Sequence, residues 1–243
     1  MGILNVTPDS FSDGGEHDTP AAAVAHGLAL AAHGADIVDI GGESTRPGHT
    51  PVAADAELAR VMPVLRELRA RLPETPLSVD TTKTAVALAA LDAGADMVND
   101  VSGAPDDTLC AALARTGALY VLTHAEAPPP DLPLDALAQW VADGLGRGVA
   151  SLEERGVARS QIWLDPGFGF GKRGAAMNYR LLRDLPAIVA LGLPVLVGAS
   201  RKSFIGEATG EPDPARRDAA SAEFARAAFA LGARCARVHT LAH

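Results

Sequence analysis

The sequence predicts an α/β fold and, within that class, a single-domain (β/α)8 TIM barrel. Eight short runs of β-branched or apolar residues recur along the 243-residue chain, and each is too short for a helix. The segments between these runs place apolar residues at helical spacing. A Gly-Ala pair stands at four of the joints between a helical segment and the next run. Eight strand–helix units in roughly 250 residues match this barrel.

Nearly every predicted strand ends in a cluster of glycine and polar residues, which marks the turn into a loop. In order, the predicted strands are Gly2–Val6, Ile37–Ile40, Leu77–Asp80, Met97–Asp100, Leu119–Leu122, Ile162–Asp165, Val195–Gly198 and Cys235–Val238.

Capping residues and glycines predict the helix boundaries. Pro20 follows Asp18 and Thr19 and is expected at or near the first helical position. The run from Ala53 to Arg71 carries apolar residues at i, i+3, i+4 and i+7 spacing. A glycine after the last helical turn can adopt the left-handed conformation that ends a helix. The four such joints are Gly34-Ala35, Gly94-Ala95, Gly117-Ala118 and Gly232-Ala233.

A doubly wound open sheet is the alternative fold, but the first strand lacks the G-x-G-x-x-G turn of a dinucleotide-binding domain. No linker divides the chain, and Pro128–Pro130 is interpreted as a loop within the barrel, so residues 1–243 are predicted to form one domain. Only Thr240–His243 follow the last predicted strand, too few residues for a closing helix.

Composition excludes several classes of protein. The chain is 48% hydrophobic and 21% charged, which is typical of a globular protein and not of a disordered segment. Its net charge of −9 argues against nucleic acid or an anionic membrane as the main partner. Two cysteines, Cys110 and Cys235, cannot form a disulfide framework and fit a reducing compartment. No apolar run reaches membrane-spanning length and no signal peptide is visible, so a cytoplasmic location is expected.

Polar residues gather at the carboxyl ends of the predicted strands, where barrels of this kind carry their functional groups. The chain has only three lysines, and one of them, Lys202, follows a strand. The strand-end residues are Asn5, Gly41–Arg46, Asp80, Asn99–Asp100, His124, Asp165, Ser200–Lys202 and Arg237–His239.

Two N-terminal stretches identify a known family. The opening MGILNVTPDSFSDGG resembles the first signature of the dihydropteroate synthase family, and GGESTRPG at Gly41–Gly48 resembles the second. Val79–Thr81, Asn99–Val101, Asp165–Lys172, Ser200–Lys202 and Arg237–His239 follow in the family's order. The resemblance implies an enzyme that condenses 6-hydroxymethyl-7,8-dihydropterin diphosphate with p-aminobenzoate, releases diphosphate and uses Mg²⁺. It also implies a homodimer and inhibition by sulfonamides.

The strand-end residues offer the hydrogen-bond donors and acceptors that a pterin ring requires. Carboxylates accept hydrogen bonds from ring N–H groups, and an asparagine both donates and accepts. Asp80, Asn99 and Asp165 supply these groups from three strands, and Lys202 can donate to a ring oxygen or nitrogen. The alternative for Asp80 and Asp165 is an Asx-turn or a helix N-cap.

Basic residues near the last strand fit the diphosphate. Arg237 and His239 alternate on the eighth strand and are expected to point to the same side. They are predicted, with Arg46 and Lys202, to be the catalytic residues; the alternative for Arg237 is an ion pair with an acid inside the barrel. The family resemblance assigns Asn5 to Mg²⁺, to which its carbonyl oxygen can bind.

The resemblance also implies that the glycine-rich segments Thr7–Gly15 and Gly41–Gly48 close over the diphosphate, with Asp13 and Arg46 on facing loops. The p-aminobenzoate pocket is then formed by Phe11, Thr45, Pro47, Phe170 and Ser203. Ordinary packing is the alternative for Phe11 and Phe170.

Three places depart from the family pattern. Thr123 removes an apolar residue expected beside the pterin, Thr240 replaces an expected aspartate, and Glu126–Leu134 is rich in proline. A catalytically silent pterin-binding paralogue is therefore one alternative function. A methyltetrahydrofolate-binding methyltransferase is another, although it has no use for the Ser44–Arg46 and Ser200–Lys202 segments.

Overall fold

The computed structural model describes residues 1–7, 20–43 and 51–241. Within these ranges, eight parallel strands lie in chain order around a barrel, as the sequence predicts. Their bounds are β1 Gly2–Asn5, β2 Val38–Gly41, β3 Leu77–Asp80, β4 Met97–Asp100, β5 Leu119–Thr123, β6 Ile162–Asp165, β7 Leu196–Val197 and β8 Cys235–Ala236.

The strands form a closed ring. β1 to β6 pair in sequence order, and β7 pairs with β8. A single bridge joins Leu164 of β6 to Val195, and another joins Gly2 of β1 to Val238 after β8. Across that last seam the Ile3 amide donates to the Val238 carbonyl at 2.9 Å. The (β/α)8 barrel prediction is confirmed, and the open sheet is not what forms. β7 and β8 are shorter than predicted because Val195 and Val238 each make one bridge and no continuous ladder.

Helices surround the barrel. The predicted start of the first helix at Pro20 and the predicted helix ending at Arg71 are confirmed. Short 3-10 turns at Leu134–Ala136, Arg159–Gln161 and Pro214–Arg216 complete the connections. The helices are α1 Pro20–Ala32, α2 Ala54–Arg71, α3 Thr84–Asp92, α4 Asp107–Thr116, α5 Leu137–Glu154, α6 Ala175–Arg183, α7 Pro186–Val189, α8 Ser203–Thr209 and α9 Asp218–Ala230.

Glycine ends four of the helices in the predicted way. Gly34, Gly94, Gly117 and Gly232 have φ values of +92°, +97°, +75° and +102°. Gly117 is the left-handed C-cap of α4, and its amide donates to the Leu113 carbonyl. These residues turn the chain from each helix into the following strand because glycine carries no Cβ to oppose a positive φ.

The barrel interior is apolar at one end and polar at the other. A cluster of buried residues that includes Met1, Ile37, Met97 and Val121 fills the amino-terminal end. Side chains two positions apart share one face of a strand, so Asn99 lies on the same face as Met97, one step nearer the carboxyl end. The apolar layer closes the floor of the barrel and leaves the polar layer at its mouth.

Among the residues that the structure describes, no helix is long and apolar enough to cross a bilayer.

Candidate active site

The predicted functional residues that the structure describes all lie at the barrel mouth. Asn5, Asp80 and Asp165 are the last residues of β1, β3 and β6, and Asn99 is the penultimate residue of β4. Phe170 lies in the loop after β6, Lys202 stands in the turn between β7 and α8, and Ser203 begins α8. Arg237 and His239 follow β8. Parallel strands in a barrel end on one rim, which is why residues far apart in sequence meet here. The remaining predicted residues, Phe11, Asp13, Thr45, Arg46 and Pro47, lie outside the described residues.

Arg237 is the centre of a buried ionic network. Its Nε donates to Asp39 Oδ2 at 2.5 Å, and its Nη2 donates to Asp80 Oδ2 at 2.5 Å. Asn99 Nδ2 donates to the same Asp39 oxygen at 3.1 Å. Arg237 therefore does form an ion pair inside the barrel, the alternative that the sequence leaves open. Asp39 joins Asn99 to Arg237, although sequence reasoning did not select it.

Asp80 keeps one oxygen for a ligand. Its Oδ1 and that of Asp39 are buried without a hydrogen-bond partner among the described residues. Burial raises the pKa of Asp80 to about 7; the Arg237 guanidinium opposes this shift, while the Asp39 carboxylate adds to it. A buried acceptor without a partner is unfavourable until a donor reaches it, so a ligand N–H group is well suited to this oxygen.

Asp165 and Lys202 face one another across the mouth. Asp165 Oδ1 accepts a hydrogen bond from the Gly167 amide at 2.7 Å, so the Asx-turn expected as its alternative is formed. Gly198 lies beside the other carboxylate oxygen, since a Cβ on that glycine would be 3.6 Å from Asp165 Oδ2. Burial raises the pKa of Asp165, and the Lys202 ammonium opposes the shift.

Lys202 is held over the loop that follows β6. Its Nζ donates to the Phe168 carbonyl at 2.5 Å and lies 4.1 Å from the centre of the Phe170 ring. Burial lowers the pKa of Lys202 to about 8, and the Asp165 carboxylate opposes that shift. The ammonium group is thus directed by fixed neighbours, which favours donation to a bound ligand.

His239 is oriented by Ser200. The His239 amide donates to Ser200 Oγ at 3.2 Å, and that hydroxyl lies 2.9 Å from His239 Nδ1. When the hydroxyl donates to Nδ1, the imidazole proton resides on Nε2 and that nitrogen becomes a donor. In that tautomer, Nε2 is the ring nitrogen that can donate to an anion.

The side-chain oxygens of Asn5 and Asp80 both lie near Gly41. A Cβ on Gly41 would lie 3.9 Å from Asn5 Oδ1 and 3.7 Å from Asp80 Oδ2. Amide and carboxylate oxygens suit Mg²⁺. Within the described ranges no group of three or more His, Cys, Asp or Glu side chains could hold a metal. Asp80 Oδ2 already accepts from Arg237, so Asn5 Oδ1 is the oxygen that fits a Mg²⁺ ion whose remaining ligands are water and substrate phosphate.

A second buried pair, Lys172 and His124, supports the loop after β6. The scarcity of lysine was its only signal in the sequence. Lys172 is fully buried, and its Nζ donates to the His124 carbonyl at 2.7 Å and lies 3.1 Å from His124 Nδ1. Burial lowers the pKa of Lys172 to about 8 and that of His124 to about 4. His124 is therefore neutral and Lys172 joins the β6 loop to the end of β5. Beside it, the Oγ1 atom of Thr123 is buried without a partner among the described residues.

The third lysine, Lys83, forms ion pairs with Glu43 and with Glu57 of α2. Lys83 Nζ pairs with Glu43 and lies 2.6 Å from Oε2 of the fully buried Glu57 in α2. Glu43 Oε1 accepts from the Val52 amide at 3.1 Å, so its carboxylate connects the residues on either side of that segment. Among its three lysines, the chain has none that serves simply as solvated surface charge.

The mouth of this (β/α)8 barrel brings together buried carboxylates, an amide, a lysine, an arginine and a histidine. Such groups can form hydrogen bonds with a nitrogen-rich ring and can bind an anion. The comparisons agree: the model of the pterin binding enzyme family matches residues 1–239. The chain belongs to that family.

Its relatives are similar over nearly their whole length. The chain is 43% identical to the dihydropteroate synthase of Synechocystis, covering 98% of this chain and 84% of that protein. A solved structure of the Xanthomonas albilineans dihydropteroate synthase with 4-aminobenzoic acid is 48% identical, with a TM-score of 0.91, and covers 98% of this chain and 86% of that one. A structure of the Xanthomonas enzyme with 7,8-dihydropteroate is 45% identical, with a TM-score of 0.89 and the same coverage.

Proposed function

We infer that this chain catalyses the dihydropteroate synthase reaction, joining 6-hydroxymethyl-7,8-dihydropterin diphosphate to p-aminobenzoate to give 7,8-dihydropteroate and diphosphate. Family membership and the relatives with 4-aminobenzoic acid and dihydropteroate bound support the inference. The observation that carries it is the buried Oδ1 of Asp80, which has no hydrogen-bond partner among the described residues and lies in a mouth that also holds Asn99, Asp165 and Lys202.

The pterin ring is recognised by its hydrogen-bonding edge. Asp80 Oδ1 accepts from a ring N–H group, and Asn99 pairs with a neighbouring donor and acceptor. Asp165 accepts a further N–H group, while Lys202 Nζ donates to a ring oxygen or nitrogen. Each of these hydrogen bonds gives a partner to a buried polar or charged group, which would be unfavourable without one.

The diphosphate lies toward Arg237 and His239, with Arg46 from the second glycine-rich segment. Asn5 would hold Mg²⁺ together with substrate oxygens and water, and the ion would neutralise part of the diphosphate charge when bound. Arg237 donates from a guanidinium that Asp39 and Asp80 already hold in place. The site thus presents donors that need no rearrangement as the leaving group gains charge.

The reaction breaks the C–O bond at the exocyclic methylene of the pterin, and diphosphate departs with the electron pair. The electron-rich dihydropterin ring stabilises the positive charge that develops on that carbon. The neutral amine of p-aminobenzoate then forms the C–N bond and loses a proton to water or diphosphate. No strong general base is needed, so orientation and leaving-group stabilisation supply most of the catalysis.

The p-aminobenzoate pocket is proposed to combine Phe170 and Ser203 with Phe11, Thr45 and Pro47. We also propose that the enzyme is a cytoplasmic homodimer, on the strength of the family resemblance.

The test is diphosphate release from the dihydropterin diphosphate, measured with and without p-aminobenzoate and Mg²⁺. The proposal predicts release that depends on both, with dihydropteroate as the product. Pterin binding without release would favour the silent paralogue. Methyl transfer from methyltetrahydrofolate without diphosphate release would favour the methyltransferase. Binding of p-aminobenzoate in the presence of diphosphate gives a second distinction, since a simple pterin binder has no such ordered pocket.

A further inference from the structure

The turn that presents Lys202 has an unusual backbone. Arg201 has a φ of +60° and is the only non-glycine residue with a positive φ among the residues described here. L side chains rarely adopt this conformation, and it persists where the surrounding structure holds it. Since Lys202 follows directly, its direction into the barrel mouth depends on this turn.

The buried side chain of Arg217 holds the backbone of this turn from below. Its Nη1 donates to the Arg201 carbonyl at 3.0 Å and to the Lys202 carbonyl at 3.4 Å. The same guanidinium donates to the Glu211 carbonyl at 2.9 Å and to the Pro212 carbonyl at 2.6 Å. One planar group therefore fixes the turn against the loop that precedes α9.

The first turn of α9 holds the other groups of Arg201. Ser221 Oγ accepts from the Arg201 amide at 3.0 Å and donates to the Arg217 carbonyl at 2.7 Å. The Arg201 side chain makes a two-point ion pair with Asp218 at 2.6 and 2.7 Å. Thr240, which departs from the family pattern, donates to Asp218 Oδ2 at 2.8 Å. The amide, carbonyl and side chain of Arg201 therefore all form hydrogen bonds.

Arg217 and Lys202 pack closely against neighbouring glycines, so neither side chain has much room to move. A Cβ on Gly206 would lie 2.5 Å from Arg217 Cζ, so the guanidinium rests directly on α8. A Cβ on Gly169 would lie 3.1 Å from Lys202 Cδ, so the lysine stem passes close to the β6 loop. A small movement of the turn would therefore change the position of Lys202 Nζ relative to Asp165.

We propose that Arg217 is a positioning residue of the active site, which acts through the Arg201 and Lys202 carbonyls to direct Lys202 at the pterin ring. This inference rests on the proposed function, since it requires that Lys202 bind the pterin. Arg217 does not touch the substrate in this scheme, and its contribution passes entirely through Lys202.

The experiment is a double-mutant cycle on the affinity for 6-hydroxymethylpterin, measured by calorimetry. Arg217→Gln is expected to weaken binding about 10-fold when Lys202 is present and less than about 2-fold when Lys202 is already replaced by Met. Arg217→Lys should recover part of the loss because it keeps the charge but not the planar set of donors. Arg216→Gln is the matched control, since that neighbouring side chain is exposed and lies 3.7 Å from Asp213.

Ser221→Ala provides a second route if Arg217→Gln does not fold. It leaves the guanidinium bonds in place and removes the acceptor for the Arg201 amide, so we expect a loss of about 3-fold that again disappears in the Lys202→Met background. An equal loss in both backgrounds would overturn the positioning role and leave the proposed function standing. An unchanged affinity in the Lys202→Met protein would overturn the pterin assignment of Lys202 and the inference with it.

Discussion

Replacing Asp80 by Asn should make the protein more stable and less able to bind a pterin. The pKa of Asp80 moves from 3.8 to about 7 in the folded protein, and burial is the main cause. In the folded state this carboxyl keeps its proton between about pH 4 and about pH 7, where the unfolded chain has released it. The free energy of unfolding therefore falls as the pH rises through that window and is lowest above it.

The size of the effect follows from the shift. A displacement from 3.8 to about 7 corresponds to about 4 kcal/mol at 1.36 kcal/mol per pKa unit. Asparagine resembles the protonated carboxyl in shape, so Asp80→Asn avoids most of this cost. Its neutral oxygen is also a weaker partner for Arg237, and we therefore expect a net gain of about 2–4 kcal/mol at pH 8 and less than about 1 kcal/mol at pH 4.

The assay is urea unfolding of both proteins at the two pH values, with Asp92→Asn at the exposed end of α3 as the control. Pterin affinity is measured on the same samples. It should fall about 10- to 100-fold, because the amide presents an N–H group where the carboxylate accepted one. An Asn variant that is less stable at pH 8, or that binds the pterin normally, would refute the reasoning.

Three further predictions concern neighbouring residues. Arg237→Ala should raise the activation free energy of turnover by about 2–4 kcal/mol. It also leaves Asp39 and Asp80 without their cation, so the variant should unfold more readily. Steady-state rates within a few-fold of the parent protein would contradict the assignment. Arg201→Gly should be about 1 kcal/mol more stable to urea than Arg201→Ala, because both lose the ion pair with Asp218 but only glycine accepts the φ of +60° without strain; equal stability would contradict this. Thr123→Val should raise the free energy of unfolding by about 1 kcal/mol, since the buried Oγ1 has no partner among the described residues; a loss of stability would show that the hydroxyl is satisfied.

The sequence predicted the barrel because its strands and helix ends are signalled locally. Gly34 and Gly94 mark their helix ends by residue type alone, and the positive φ that they need is found in the structure. Strand-end positions likewise predicted Asp80, Asn99 and Lys202, since one rim collects the carboxyl ends of all strands.

Pairings across the barrel could not be predicted in the same way. Asp39 lies within an apolar strand, and its contact with Arg237 joins residues 198 apart in sequence. The contact depends on the register that closes the ring between β8 and β1. The Lys172–His124 pair depends on the path of the β6 loop, for which the sequence carries no periodic signal.

Arg217, directly before α9, illustrates the same limit. Nothing distinguishes it in sequence from Arg216, its exposed neighbour, yet its guanidinium meets four backbone carbonyls. Residues that act on the backbone of another turn leave no motif, because their partners are present in every amino acid.

The most direct measurement is a crystal structure of the protein with 6-hydroxymethylpterin and diphosphate bound. We predict a ring at the barrel mouth with an N–H group on Asp80 Oδ1, further contacts to Asn99 and Asp165, and Lys202 Nζ on a ring heteroatom. Diphosphate should lie beside Arg237 and His239. A ring bound away from Asp80, with the Arg237 network unchanged and Asp80 Oδ1 still without a donor, would contradict the proposed site.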